Sequence, residues 1–169
     1  MAFAPLWLTD ALGFCNGPAH GEIKFCRGSP VLIEVGSRCH GAEGAWVPIA
    51  NSCMGYNQVA VAIDSMVDGE AFAELADRPR KLLAYGGAAV LVSYKNGTLK
   101  STPGMAEIEK MPAFFKKDIV VAPGDNIRQT VNIFTAPGCI TLVHKDRVVF
   151  ESSLARIREL EVDGLFELE

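Results

Sequence analysis

His20-Gly21-Glu22-Ile23-Lys24-Phe25-Cys26, Arg27-Gly28-Ser29, Pro30-Val31-Leu32-Ile33-Glu34-Val35 is the stretch that decides the fold of this 169-residue chain. Both arms are short, rich in β-branched or aromatic residues and bounded by Gly or Pro, the pattern of two strands joined by a tight turn. With Arg27-Gly28-Ser29 read as a three-residue loop, Cys26 faces Pro30 and Glu22 lies directly across from Glu34. Side chains alternate along a strand, so His20, Glu22, Lys24 and Glu34 project to one face. A loop of two or four residues is expected to break this parity.

Like charges directly opposed on neighbouring strands destabilise a sheet, and their Cβ atoms stand about 4.5–5.5 Å apart. That spacing lets the two carboxylates chelate one cation, or flank two ions about 3.5–4 Å apart that clamp a phosphoryl group. Hard oxygen donors in a carboxylate pair suit Mg2+ bridged to substrate phosphates. The competing reading is a solvated face on which Lys24 balances the acids. The loop after the hairpin favours the cation. Arg38 comes four residues after Glu34, in a loop containing Gly36, Gly41 and Gly44. A guanidinium there reaches a phosphate or carboxylate, and the glycines let backbone N–H groups approach an anion. No Gly-Lys-Ser/Thr closes the loop, so it is not a P-loop.

Outward from the hairpin, residues 5–12 read as a short helix closed by Gly13, with Pro5 in its first turn. Tyr56, Val59, Ala60, Ile63, Met66 and Val67 recur at helical spacing and Gly69 supplies a stop, predicting an amphipathic helix packed on the hairpin's sheet. A shorter helix is expected near 71–75. The charged, proline-bearing stretch Asp77-Arg78-Pro79-Arg80-Lys81 marks a boundary between a unit over 1–76 and one over 82–169. In the second unit, 88–94 and 98–102 flank Asn96-Gly97 and predict a hairpin. Further antiparallel strands are expected over 119–122, 127–134 and 139–144. The closing helix carries Leu154, Ile157 and Leu160 on one face and ends at Gly164.

Composition sets limits on function. Hydrophobic residues make up 49% and charged residues 21%, enough for a buried core and too apolar for disorder. A net charge of −4 argues against a dedicated nucleic-acid or anionic-membrane binder. No stretch approaches the roughly 20 apolar residues that span a bilayer, and the first ten residues lack a basic n-region. The five cysteines are odd in number and form no C-x-x-C pair, so reduced, mostly buried thiols in a cytoplasmic protein are expected. Cys39-His40 makes a poor nucleophilic dyad, because adjacent side chains in extended chain point apart. Trp7 and Trp46 read as packing residues and His144 as a surface residue.

The residues 17–24 (Gly-Pro-Ala-His-Gly-Glu-Ile-Lys) and 32–38 (Leu-Ile-Glu-Val-Gly-Ser-Arg), together with Gly41 and Gly44, resemble the C-terminal catalytic segment of the ATP-grasp superfamily. The His-x-Glu-Ile-Lys wording and Gly-Tyr-Asn-Gln at 55–58 are similar to its L-amino-acid ligase (carboxylate–amine ligase) branch. The resemblance implies an α+β fold with an antiparallel sheet and packed helices, and a small antiparallel accessory subdomain. It implies Glu22 and Glu34 as metal ligands, and Arg38 as the contact to the transferred phosphate or acyl phosphate. His20 is a candidate substrate-orienting or acid–base residue, with a structural hydrogen-bonded role as the alternative. The implied cofactors are ATP and Mg2+, and the implied substrates are small carboxylates and amines such as amino acids. The reaction that the resemblance implies runs through an acyl phosphate. Gly36 stands where the family commonly carries a metal-ligating asparagine, which leaves one or two metals open. The family's lid and phosphate-binding lysines are expected upstream of residue 1, in cis or in trans, so that the isolated chain lacks full activity. The rival reading is a non-catalytic α+β module that binds a nucleotide or a partner.

Overall fold

The computed structural model describes residues 10–76 and 81–169. Most of the helix expected over 5–12, and the charged residues 77–80, lie outside these. The chain divides into two compact units, Met1–Val47 with Tyr56–Arg78 and Pro48–Gly55 with Pro79–Glu169.

In the first unit, strands β1 (His20–Cys26) and β2 (Ser29–Gly36) form an antiparallel hairpin. The turn between them is shorter than expected. Cys26 pairs with Ser29, so only Arg27 and Gly28 lie in the loop, both at positive φ (51° and 80°). This is the φ signature of a type I′ turn, whose twist matches that of the strands it joins. Helix α2 (Gln58–Val67) is capped by Asn57, whose side chain accepts from the Val59 and Ala60 amides. Asp68 ends α2 and caps the short α3 (Gly69–Ala73), so Gly69 begins a helix instead of stopping one.

The expected packing of the α2 stripe on the hairpin is not found. Val59, Ile63, Met66 and Val67 are all exposed, Met66 by 79%. The link to the hairpin is polar: the Gln58 side chain donates to the Ala19 carbonyl and accepts from the His40 amide.

The second unit holds α1 (Val47–Met54) and two three-stranded antiparallel sheets. One has β3 (Tyr85–Val90), β7 (Gly138–His144) and β5 (Phe114–Ile119), with β7 central. The other has β6 (Asn126–Ile127), β4 (Gly97–Ser101) and β8 (Glu167–Leu168), with β4 central. A short α4 (Met105–Ile108) and the long α5 (Arg147–Val162) complete it. Leu91, Ile108, Ile140, Leu142, Ile157 and Leu165 are fully or almost fully buried and form the centre of one core. Within this unit Gly86 lets α1 lie close to the sheet, because a Cβ there would sit 2.9 Å from Cys53 Sγ and 3.0 Å from Ile49 Cγ2. The buried Glu161 carboxylate accepts from the Val92 amide (3.0 Å) and pairs with Arg158 (2.6 Å). At the surface the Arg156 guanidinium hydrogen-bonds Glu107 and holds its carboxyl below the usual carboxylate range.

Several expected boundaries change. The strand placed over 88–94 begins at Tyr85 and ends at Val90, and the one placed over 119–122 lies earlier, as β5. Residues 127–134 are largely irregular: after Ile127 the chain turns, and Ile133–Thr135 form a 3-10 turn capped by Asn132. Asn96-Gly97 does not join a hairpin, because β3 and β4 belong to different sheets. Gly97 serves close approach instead of turn geometry. A Cβ there would meet the Glu169 carbonyl at 3.0 Å and Leu168 Cβ at 3.1 Å. All five cysteines are free, but only Cys53 is buried, and Cys15 and Cys26 are exposed. Among the described residues no helix is long and apolar enough to cross a membrane.

Candidate metal centre

The hairpin sets Glu22 opposite Glu34 by a route different from the expected one. A two-residue turn alone would pair Glu22 with Ile33. Between Glu22 and Ile23 the register shifts, since Ile23 faces Leu32 while Glu22 faces Glu34, and Ile33 is left as the extra residue of a β-bulge. The bulge offsets the shorter turn and restores the parity that places the two carboxylates on one face. His20 pairs with Gly36 one step further along.

The result is a convergent donor set. A ring nitrogen of His20 and one carboxylate oxygen each from Glu22 and Glu34 lie within 4.8 Å of one another. Both glutamates are exposed and His20 is partly buried. Among the described residues neither glutamate forms an ion pair, and Lys24 faces Val31 across the strands. The acids therefore gain no cation at contact distance from the described residues. This donor set fits a divalent metal: two hard oxygens and one imidazole nitrogen converge where the repulsion between the acids is otherwise unrelieved.

His20 is held from behind. Its Nε2 lies 2.8 Å from His40 Nδ1, and the two rings are tilted by 37° with centroids 4.5 Å apart. His40 is fixed in turn by its amide bond to Gln58 and by Trp46, whose indole donates to the His40 and Gly41 carbonyls at 3.1 and 2.8 Å. Trp46 is thus a polar brace as well as a packing residue. Sequence reasoning missed His40 and Gln58 as parts of this site. They come from a loop and a helix start 20 and 38 residues beyond His20, and no local pattern joins such positions.

Arg38 lies on the exposed loop after β2 and donates to the carbonyl of its neighbour Cys39 (3.0 Å), with its chain beside Gly36. It is free to redirect toward an anion, because only one exposed hydrogen bond is lost. Cys39 Sγ is directed to the Gln58 carbonyl and the His40 ring to His20, so the two do not form a thiol–imidazole pair. His144 binds the backbone of its own turn through Asp146. A cleft of ≈300 Å³ lined by Leu12, Phe14, Ala19, Val35, Gly36 and Ser37 opens at the base of the hairpin.

Comparison with known proteins finds no matching family model. The sequence is 28% identical over 160 residues to dapdiamide A synthase of Enterobacter agglomerans, covering 91% of this chain and 36% of that protein. The fold is similar to the L-amino acid ligase of Bacillus licheniformis, with a TM-score of 0.72 at 23% identity over 95% of this chain and 38% of that one. It is also similar to the phosphoribosylglycinamide synthetase of Anaerococcus prevotii, with a TM-score of 0.65 at 15% identity over 95% of this chain and 39% of that one. The chain thus spans a little over a third of the length of the relatives it matches. These relatives are ATP-grasp enzymes, and this chain, similar to them in sequence and in fold, has the α+β architecture of the C-terminal part of an ATP-grasp protein.

Proposed function

We propose that this chain is the C-terminal segment of an ATP-dependent carboxylate–amine ligase that acts on amino acids in the cytoplasm. The observation that carries the reading is the convergence of His20, Glu22 and Glu34 within 4.8 Å, on a hairpin of an ATP-grasp fold. Glu22 and Glu34 hold Mg2+, which when bound neutralises charge on the ATP phosphates. Arg38 swings from the Cys39 carbonyl onto the transferred phosphate, and the loop glycines let backbone N–H groups approach it too. His20 orients the substrate or exchanges its proton beside the metal ligands.

The proposed reaction has two steps. A carboxylate oxygen attacks the γ-phosphorus and the bond to the ADP oxygen breaks. An amine nitrogen then attacks the acyl carbon, loses a proton and expels inorganic phosphate. The chemistry asks the protein for positioning and charge neutralisation. The remaining two thirds of the relatives' length would supply the lid, in cis or in trans, so amino-acid-dependent phosphate release is expected only when that portion is present.

Calorimetric titration with Mg2+-ATP tests the reading. Wild type is expected to release or absorb heat on binding, and Glu22→Gln and Glu34→Gln to bind at least tenfold more weakly. Equal heats in all three proteins, or none in any, would favour a non-catalytic α+β module. Adding the N-terminal portion of the Bacillus licheniformis ligase is expected to bring phosphate release. Full turnover without it would contradict the need for a lid.

A further inference from the structure

The imidazole of His20 has an unmet requirement. Its Nδ1 is buried and without a hydrogen-bond partner, while its Nε2 is engaged by His40 Nδ1 at 2.8 Å. A buried polar atom left unpaired costs on the order of 1–3 kcal/mol, so its isolation, in a ring that offers a nitrogen within 4.8 Å of a Glu22 and a Glu34 oxygen, calls for a physical reason. The tautomers supply one. If His40 donates, His20 Nδ1 carries a proton with no acceptor. If His20 donates through Nε2–H, Nδ1 presents a lone pair on the side where the protein offers no donor. Only the second arrangement is satisfied by a cation. A metal-binding histidine commonly donates its other ring N–H to a fixed acceptor, which sets the tautomer, and His40, braced by Gln58, provides that acceptor here.

His20 pairs with Gly36, which brings no ligand of its own; the Arg38 side chain lies there instead, its Cγ and Nε 3.5 Å from where a Cβ would stand. We propose that His20, through Nδ1, is the third protein ligand of the cation held by Glu22 and Glu34, a role that takes the place of the orienting or proton-exchanging one given above, and that this centre takes a first-row transition cation such as Mn2+ in preference to Mg2+. The proposal rests on the reading of Glu22 and Glu34 as a cation-binding pair. Its distinct content is the nitrogen. Imidazole is a borderline ligand that favours transition cations, whereas an all-oxygen pair serves Mg2+ as well.

The test uses the full chain and Mn2+ alone. Free Mn2+ is counted by its electron paramagnetic resonance signal, Mg2+ is added as competitor, and electron spin-echo modulation reports directly coordinated nitrogen. Wild type is expected to bind Mn2+ about tenfold more tightly than Mg2+, with clear 14N modulation. His20→Ala should lose the modulation and on the order of tenfold or more in Mn2+ affinity. His20→Ala combined with Gly36→Asn places a carboxamide oxygen across from position 20 and should recover affinity without the nitrogen signal. Because the modulation is read on wild type, the assignment of the nitrogen does not depend on any variant folding. Mn2+ bound in a Glu34-dependent manner without 14N modulation overturns the role of His20 and leaves the glutamate pair standing. No bound Mn2+ overturns both.

Discussion

At the scale of single residues, the molecule distinguishes charges that are paired from charges that are not. Glu161 is fully buried, and it persists because the Val92 amide and the Arg158 guanidinium both bond to it. Arg158 also reaches the Val90 carbonyl, so one carboxylate fixes the end of β3 to α5. Glu161→Ala is therefore expected to cost about 1–3 kcal/mol in urea unfolding, since it leaves the Val92 amide without its acceptor. Glu161→Gln keeps an acceptor and should cost less, and equal losses in the two variants would contradict this account. Glu22 and Glu34 show the opposite condition, two exposed acids converging with no cation at contact distance among the described residues. Their types were legible in the sequence; their opposition was expected from a three-residue loop and arises instead from a two-residue turn offset by a bulge. The support from His40, Trp46 and Gln58 was not legible, because it is assembled from separate segments.

At the scale of elements, the hairpin shows how a correct pairing can result from an incorrect turn. Ser29 reads as a loop residue by type, yet it is the first residue of β2. The missing loop residue reappears as the bulge at Ile33, and alternation alone gives no signal for a bulge. Arg27 adopts a left-handed φ of 51°, unfavourable for a side chain of its kind. Arg27→Asn should raise stability by a few tenths to about 1 kcal/mol, since Asn-Gly is the preferred type I′ pair. A loss of stability on that substitution would show that the turn is of another type. Asn96-Gly97 gives the complementary lesson. The same favourable dipeptide makes no hairpin, because Gly97 is required by the close approach of β8 and tertiary contact overrides a local preference. The stripe on α2 misled in a similar way. Helical spacing correctly gave the helix, but periodicity does not say what covers its apolar face.

At the scale of the whole molecule, the α+β class, the antiparallel strands and the closing helix were legible from punctuation by Gly and Pro and from the helical spacing of Leu154, Ile157 and Leu160. Strand partners were not, since β3 joins β7 across about 50 intervening residues and no short pattern records that choice. The assignment of Pro48–Gly55 to the second unit was equally hidden, because α1 is seated there through Gly86.

The claim on which the functional reading depends is that the fold forces two carboxylates together and a cation relieves them. Thermal and urea unfolding of wild type and Glu34→Gln, each in EDTA and in saturating Mg2+ or Mn2+, measures this directly. Without metal, Glu34→Gln should be the more stable by about 0.2–1 kcal/mol, because like-charge repulsion is removed. At metal concentrations near 100 times Kd, wild type should gain about 2.7 kcal/mol and overtake the variant, which should gain little. Equal gains in both proteins, or no gain in wild type, would contradict the account.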